Sequence, residues 1–172
     1  MNKIKNLVIK ASAGTGKTYR LSLEYIVALC KKGDIEAIDY KNILVMTFTR
    51  KATAEIKEGI LNKFSELMEI YKISKNVELS VTEAISTSKL IDDKKRKNFL
   101  NLIESIENIE PNLAIDNSLL ENLSKIHKEI IRNKEKLKIY TIDAFFNVIF
   151  KNIVTNLMKI KSYTMLDEED NF

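Results

Sequence analysis

The sequence predicts an α/β domain: a parallel sheet with flanking helices, carrying a helical insertion. Three observations lead there. Short apolar runs, Ile4–Ile9 and Ile43–Phe48, are each followed by a segment of helical periodicity, the strand–helix–strand–helix order of parallel sheets. Residues 72–137 then contain no convincing strand and several helical stripes. The pattern resumes with a third strand, Leu137–Ile142, and a last helix. Expected boundaries are 1–71 for the first part of the α/β layer, 72–137 for the insertion and 138–172 for the return.

Each element has its own grounds. The run Ile4, Leu7, Val8, Ile9 reads as a buried strand. A helix should follow from Lys17 to about Lys32, with Leu21, Tyr25, Ala28 and Leu29 on one face and Leu23, Ile26 and Val27 on another, stopped by Gly33-Asp34. After the second strand, Thr49 is a candidate N-cap for a helix from Arg50 to Ile70 with Ala52, Ile56, Ile60, Phe64 and Leu67 at helical spacing. Within the insertion, Asp92–Ile109 carries Phe99, Ile103, Ile106 and Ile109 on one stripe, and Pro111 breaks it. Ser118-Leu119-Leu120-Glu121 reads as a capping box for a helix that buries Leu119, Leu123, Ile126 and Ile130. The last helix should run from Asp143 to about Lys161, with Phe146, Ile149, Phe150, Ile153 and Leu157 apolar.

The composition sets outer bounds. The chain has 172 residues, 45% hydrophobic and 30% charged, which suits one packed domain and excludes a disordered or collagen-like chain. There is no run of about 18 uncharged apolar residues for a membrane span. The N-terminus has no apolar signal core, and the one cysteine, Cys30, cannot close an internal disulfide, so a reducing, cytoplasmic setting is expected. Cys30 is expected to pack as a small apolar residue. A net charge of +4 permits a polyanionic partner without requiring one. His127 is the single histidine, among charged helix positions, which leaves zinc or Ser–His chemistry without support.

The strongest chemical signal is Ala11-Ser12-Ala13-Gly14-Thr15-Gly16-Lys17-Thr18, set where a buried strand turns into a helix. The pattern G-x-x-x-x-G-K-[ST] works because loop N–H groups converge on phosphate oxygens and the helix N-terminus adds roughly +0.5 charge. Lys17 should reach the β/γ-phosphates of ATP, and the Thr18 hydroxyl should enter the Mg shell. Ala11 stands at the first glycine position, which alanine can fill if no positive φ is needed there. Tyr19 follows, to stack on a base ring or to pack.

Two further segments end strands. Thr47-Phe48-Thr49-Arg50 closes the second strand at the edge where parallel sheets bind ligands. It offers hydroxyls, an aromatic ring and a cation for a single-stranded backbone, or else Phe48 is core and Arg50 and Lys51 are solvated. Tyr140-Thr141-Ile142-Asp143-Ala144-Phe145 closes the third strand, with Asp143 a candidate helix cap.

Together these segments resemble the N-terminal part of superfamily 1 helicases of the UvrD/Rep group, and most closely the helicase subunits of RecB/AddA-type (exonuclease V beta-like) helicase–nucleases. Residues 11–18 look like motif I, 45–56 like motif Ia, and 141–145 like the Thr-x-His-Ser/Gly-Phe segment that contacts the DNA strand. The resemblance implies a partial RecA-like P-loop NTPase motor domain. It also implies ATP and Mg as cofactors, a DNA-binding set of Thr47, Phe48, Thr49, Arg50 and Thr141, and single-stranded or duplex-end DNA as partner. A second helicase–nuclease subunit is implied too. Asp143 departs from the pattern, standing where many relatives have His. Tyr163–Asp170, with Asp167-Glu168, reads either as a Walker B strand or as a solvated acidic end. The family's acidic motif II, its coupling motifs, second motor domain and γ-phosphate arginine have no counterpart here, so the chain is expected to stop before its own catalytic base and to be inactive in unwinding alone. The rival readings are a P-loop ATPase or kinase of another class and a truncated, non-catalytic nucleotide-binding module.

Overall fold

The computed structural model describes residues 16–30, 37–75 and 79–157. The expected first strand Ile4–Ile9, residues Ala11 to Thr15, the Gly33-Asp34 stop and the acidic segment from Tyr163 to Asp170 lie outside the described residues. Within them the order is α1 (Lys17–Ala28), a 3-10 turn (Tyr40–Asn42), β1 (Leu44–Thr47), α2 (Arg50–Ser74), α3 (Val81–Thr87), α4 (Asp93–Ile109), α5 (Asn117–Arg132), a second 3-10 turn (Lys134–Lys136), β2 (Lys138–Thr141) and α6 (Ile142–Leu157). The molecule is helix-rich around a small sheet.

Helix α2 is the spine. Ile56, Ile60, Phe64, Leu67 and Ile70 are all buried, at the 4-4-3-3 spacing that keeps one helix face turned inward. It runs a turn beyond the expected Ile70 because Ser74 is buried and tied to α5: its Oγ donates to Asn117 Oδ1 at 2.6 Å. Helix α1 packs along it closely enough that a Cβ on Gly59 would stand 2.5 Å from Ser22 Oγ. Because two faces of α1 meet neighbours, Leu23, Tyr25, Ile26 and Val27 are all buried, whereas Leu21 is exposed. Cys30 is buried, donating from Sγ to the Ile26 carbonyl.

Helices α3, α4 and α5 share this core, which includes Ile85, Leu102, Leu120, Leu123 and Ile130. Their ends are satisfied locally. Asp92 caps α4 through Lys95 N–H at 2.7 Å. Helix α3, not among the expected elements, begins in a capping box of Ser80 and Glu83. Arg96 closes it by donating to the Ile85 and Ser88 carbonyls. The capping box expected at Ser118 and Glu121 is not formed: α5 starts earlier, and Asp116 accepts from Leu119 N–H at 2.8 Å. A carboxylate caps as well as a hydroxyl, and the earlier start turns Leu120 into the core while Leu119 and Ile126 are only partly buried.

The two strands pair in parallel, Leu44 with Lys138, Val45 with Ile139, Met46 with Tyr140 and Thr47 with Thr141. Val45 and Ile139 are buried, while Leu44 and Met46 are exposed. No helix among the described residues is long and apolar enough to cross a membrane.

Candidate nucleotide and nucleic-acid site

Of the loop residues, the structure places Gly16, Lys17, Thr18 and Tyr19. Gly16 takes φ 74° and ψ 25°, a left-handed conformation that costs glycine little and other residues more. It is the N-cap of α1, so Lys17, Thr18 and Tyr19 form the first helical turn. Gly16 has no side chain to cap this end, and the first turn holds no acidic residue. The Gly16 carbonyl accepts from Arg20 N–H at 2.9 Å, and the first N–H groups of an α-helix have no partner within the helix, which is what lets a helix N-terminus receive an anion. This donor set suits phosphate and one hydroxyl ligand to magnesium. No group of three or more His, Cys, Asp or Glu side chains that could hold a metal exists among the described residues.

The second group of site residues stands on the sheet. Thr47 and Thr141 are register partners at the carboxyl ends of adjacent parallel strands, so two segments far apart in the chain meet at one edge. They differ in what they offer. Thr47 is 8% exposed, and its hydroxyl is spent internally: Oγ1 lies 2.6 Å from Thr53 Oγ1 and 3.1 Å from the Thr49 carbonyl. Thr47 therefore braces the turn and does not present its hydroxyl to an outside ligand. Thr53, not among the residues expected from the sequence, completes this brace and sits four residues after Thr49 on the first turn of α2.

Thr49 is the N-cap of α2, as expected, accepting from Ala52 N–H at 3.1 Å. Phe48 is 88% exposed, so its ring takes no part in the core that the described residues form. The chain turns from strand to helix at this residue, and the turn leaves the ring uncovered by the described residues. Arg50 is exposed with no carboxylate partner among the described residues, and Lys51 makes only a long contact to Glu55 at 3.9 Å. Thr141 is half-buried and caps α6, its Oγ1 accepting from Ala144 N–H at 3.2 Å. Asp143, the expected cap, lies inside the first turn instead, because α6 begins directly at Ile142. Beside it Phe145 stacks on Tyr140, with ring centroids 6.4 Å apart.

His127 stands apart from both groups. Among the charged positions of α5 it is half-buried: its ring stacks on Phe64 at 5.1 Å, and burial holds its pKa below the ordinary imidazole value.

The family model described as UvrD/REP helicase N-terminal domain matches residues 2–171. Among curated proteins, RecBCD enzyme subunit RecB of Buchnera aphidicola is 29% identical over 167 residues, 89% of this chain and 14% of that protein. An ATP-dependent helicase/nuclease subunit of Clostridium kluyveri is 38% identical over 73 residues, 42% of this chain and 6% of that protein. A probable DNA helicase II homolog of Mycoplasma pneumoniae is 29% identical over 152 residues, 88% of this chain and 18% of that protein. The chain thus spans less than a fifth of the length of these relatives. No solved structure matches it. With a match that runs from residue 2 to residue 171, the chain belongs to the UvrD/REP helicase N-terminal domain family.

Proposed function

We propose that this chain is the ATP-binding N-terminal part of an ATP-dependent DNA helicase or helicase–nuclease that moves along single-stranded DNA in repair or recombination. Its α/β portion is read as part of a RecA-like motor domain, with residues 72–137 as the inserted helices. The observation that carries this reading is the meeting of Thr47-Phe48-Thr49-Arg50 with Thr141 at one edge of a parallel sheet. Parallel sheets bind ligands at that edge, and both segments resemble DNA-contacting motifs of the family.

The chemistry on the two sides is complementary to two phosphate-bearing ligands. Residues 11–18 would hold the triphosphate, Lys17 by charge and the α1 N-terminus by its N–H groups, and Thr18 would supply a hydroxyl to Mg. When bound, MgATP would supply, through its hydrolysis, the free energy for movement along the strand. At the sheet edge, a phosphate oxygen can only accept. Thr49 and Thr141 each use an oxygen lone pair in capping, which leaves the hydroxyl proton to donate outward. Arg50 adds charge, and the bare ring of Phe48 offers a face to a base. Thr47 acts through Thr49 and Thr53 by fixing the turn. Two of the relatives are named as parts of larger enzymes, which supports a second protein as partner.

The test is made in the full-length protein. Lys17→Ala should abolish ATP binding while single-stranded DNA still binds, and Phe48→Ala should weaken DNA binding about tenfold with ATP binding intact. ATP turnover indifferent to single-stranded DNA would favour a P-loop enzyme of another class.

A further inference from the structure

Lys63 belongs neither to the phosphate loop nor to the sheet edge. It lies on α2, and its ammonium sits 4.6 Å from the centroid of the Tyr19 ring on α1. The close approach of the helices makes this contact possible. Gly59 and Lys63 are four residues apart on α2, and Ser22 and Tyr19 are three apart on α1, so the Gly59–Ser22 and Lys63–Tyr19 contacts belong to one crossing. The Lys63 side chain is only 12% exposed and is ion-paired with Glu66 at 2.7 Å. That pairing occupies one of the three ammonium donors and holds the side chain in place, with the cation facing the ring. Tyr19 itself is 44% exposed, directly after Lys17 and Thr18 in the first turn of α1.

We infer that Lys63 is a positioning residue: held by Glu66, it pins the Tyr19 ring as a platform for the flat base of the nucleotide whose phosphates the α1 N-terminus receives. The inference rests on the nucleotide-binding reading of residues 11–18. A ring fixed in advance loses less freedom when a base stacks on it, so the benefit appears only for ligands that carry a base.

The experiment compares Mg-ATP with Mg-tripolyphosphate, a ligand with phosphates and no base, by calorimetry on the full chain. Lys63→Met keeps the apolar stem and removes the cation. It should weaken ATP about three- to tenfold and leave tripolyphosphate binding unchanged, which also shows the variant to be folded. Lys63→Arg should restore ATP affinity. In a Tyr19→Ala background, Lys63→Met should have no further effect. Equal losses for both ligands would make Lys63 a direct phosphate contact and overturn the inference, as would an undiminished ATP affinity in Lys63→Met. If the unaltered chain binds neither ligand, the nucleotide reading of residues 11–18 fails first, and this inference falls with it.

Discussion

Gly59 and Ser22 govern how near α1 and α2 can come. Alanine at position 59 would gain up to about 1 kcal/mol of helix propensity, yet its Cβ would meet Ser22 Oγ at 2.5 Å. The hydroxyl must then swing away from the Thr18 carbonyl it now donates to at 2.8 Å, unpaired in a fully buried position. An unsatisfied buried hydroxyl costs about 1–3 kcal/mol, so Gly59→Ala should be destabilised by about 1 kcal/mol net in urea denaturation. Ser22→Ala in the same background should recover it, and failure to recover would mean that the helices have been pushed apart. A second residue-scale outcome concerns Tyr25, whose phenol is buried with no hydrogen-bond partner among the described residues and is pushed up to about 12 by burial, then by Tyr40 and Asp39. The folded state holds this proton more tightly than the unfolded state, whose tyrosines titrate near 10. Stability from this group is therefore complete below pH 10 and is lost as pH rises from 10 through 12. Tyr40 is shifted in the same direction, again first by burial. Tyr25→Phe should flatten the alkaline fall in melting temperature and cost nothing at pH 7, since no bond is removed. His127 works at the other end of the scale. Burial lowers its folded pKa, so its stabilising contribution is present above pH 6.5 and declines as pH falls through the folded pKa.

Thr49 caps α2 and stands in the proposed DNA-contacting set, and the two roles can be separated. As N-cap of α2 its removal should cost about 1 kcal/mol, so Thr49→Ala should lower the melting temperature. Thr49→Asp keeps a capping oxygen but replaces an outward O–H donor with a carboxylate. That variant should hold its melting temperature while single-stranded DNA affinity drops at least tenfold; equal DNA binding by the two proteins would remove Thr49 from the interface. This cap was legible in the sequence because the strand's apolar run stops immediately before it. The start of α5 was less so: Asp116 and Ser118 are both good caps, and only packing decides between registers that turn Leu119 or Leu120 inward. Phe48 was not legible as exposed, since residue type favours burial and only the turn out of β1 lifts the ring clear of the sheet. Nor could the inward use of Thr47 be read, because its partner Thr53 is set by the pitch of α2. The parallel pairing of β1 with β2 was read from element order alone, while Lys63 against Tyr19 depends on a helix crossing that no local pattern encodes.

At the scale of the whole molecule, the described residues are covered unevenly. Helix α2 shields one face of the sheet, where Val45 and Ile139 are buried, while Leu44 and Met46 on the other face stand open. Helix α6 adds to this surface. Phe146, Ile149, Phe150 and Ile153 are between 38% and 62% exposed, whereas Val154 is buried. Parallel sheets are ordinarily covered on both faces, and exposed apolar side chains grouped as on α6 favour association. The 172-residue chain on its own should therefore self-associate at micromolar concentration in sedimentation velocity. Because the surface is apolar, association should persist or strengthen in sulfate, whereas pairing through the scattered lysines would weaken as salt rises. Ile149→Gln with Ile153→Gln places two amides one turn apart on the exposed face of α6. The pair should shift the chain toward monomer and change the unfolding free energy by no more than about 0.5 kcal/mol, since neither side chain is buried. A monomeric unsubstituted chain, or a double variant that associates as strongly as before, would show that this face does not drive assembly.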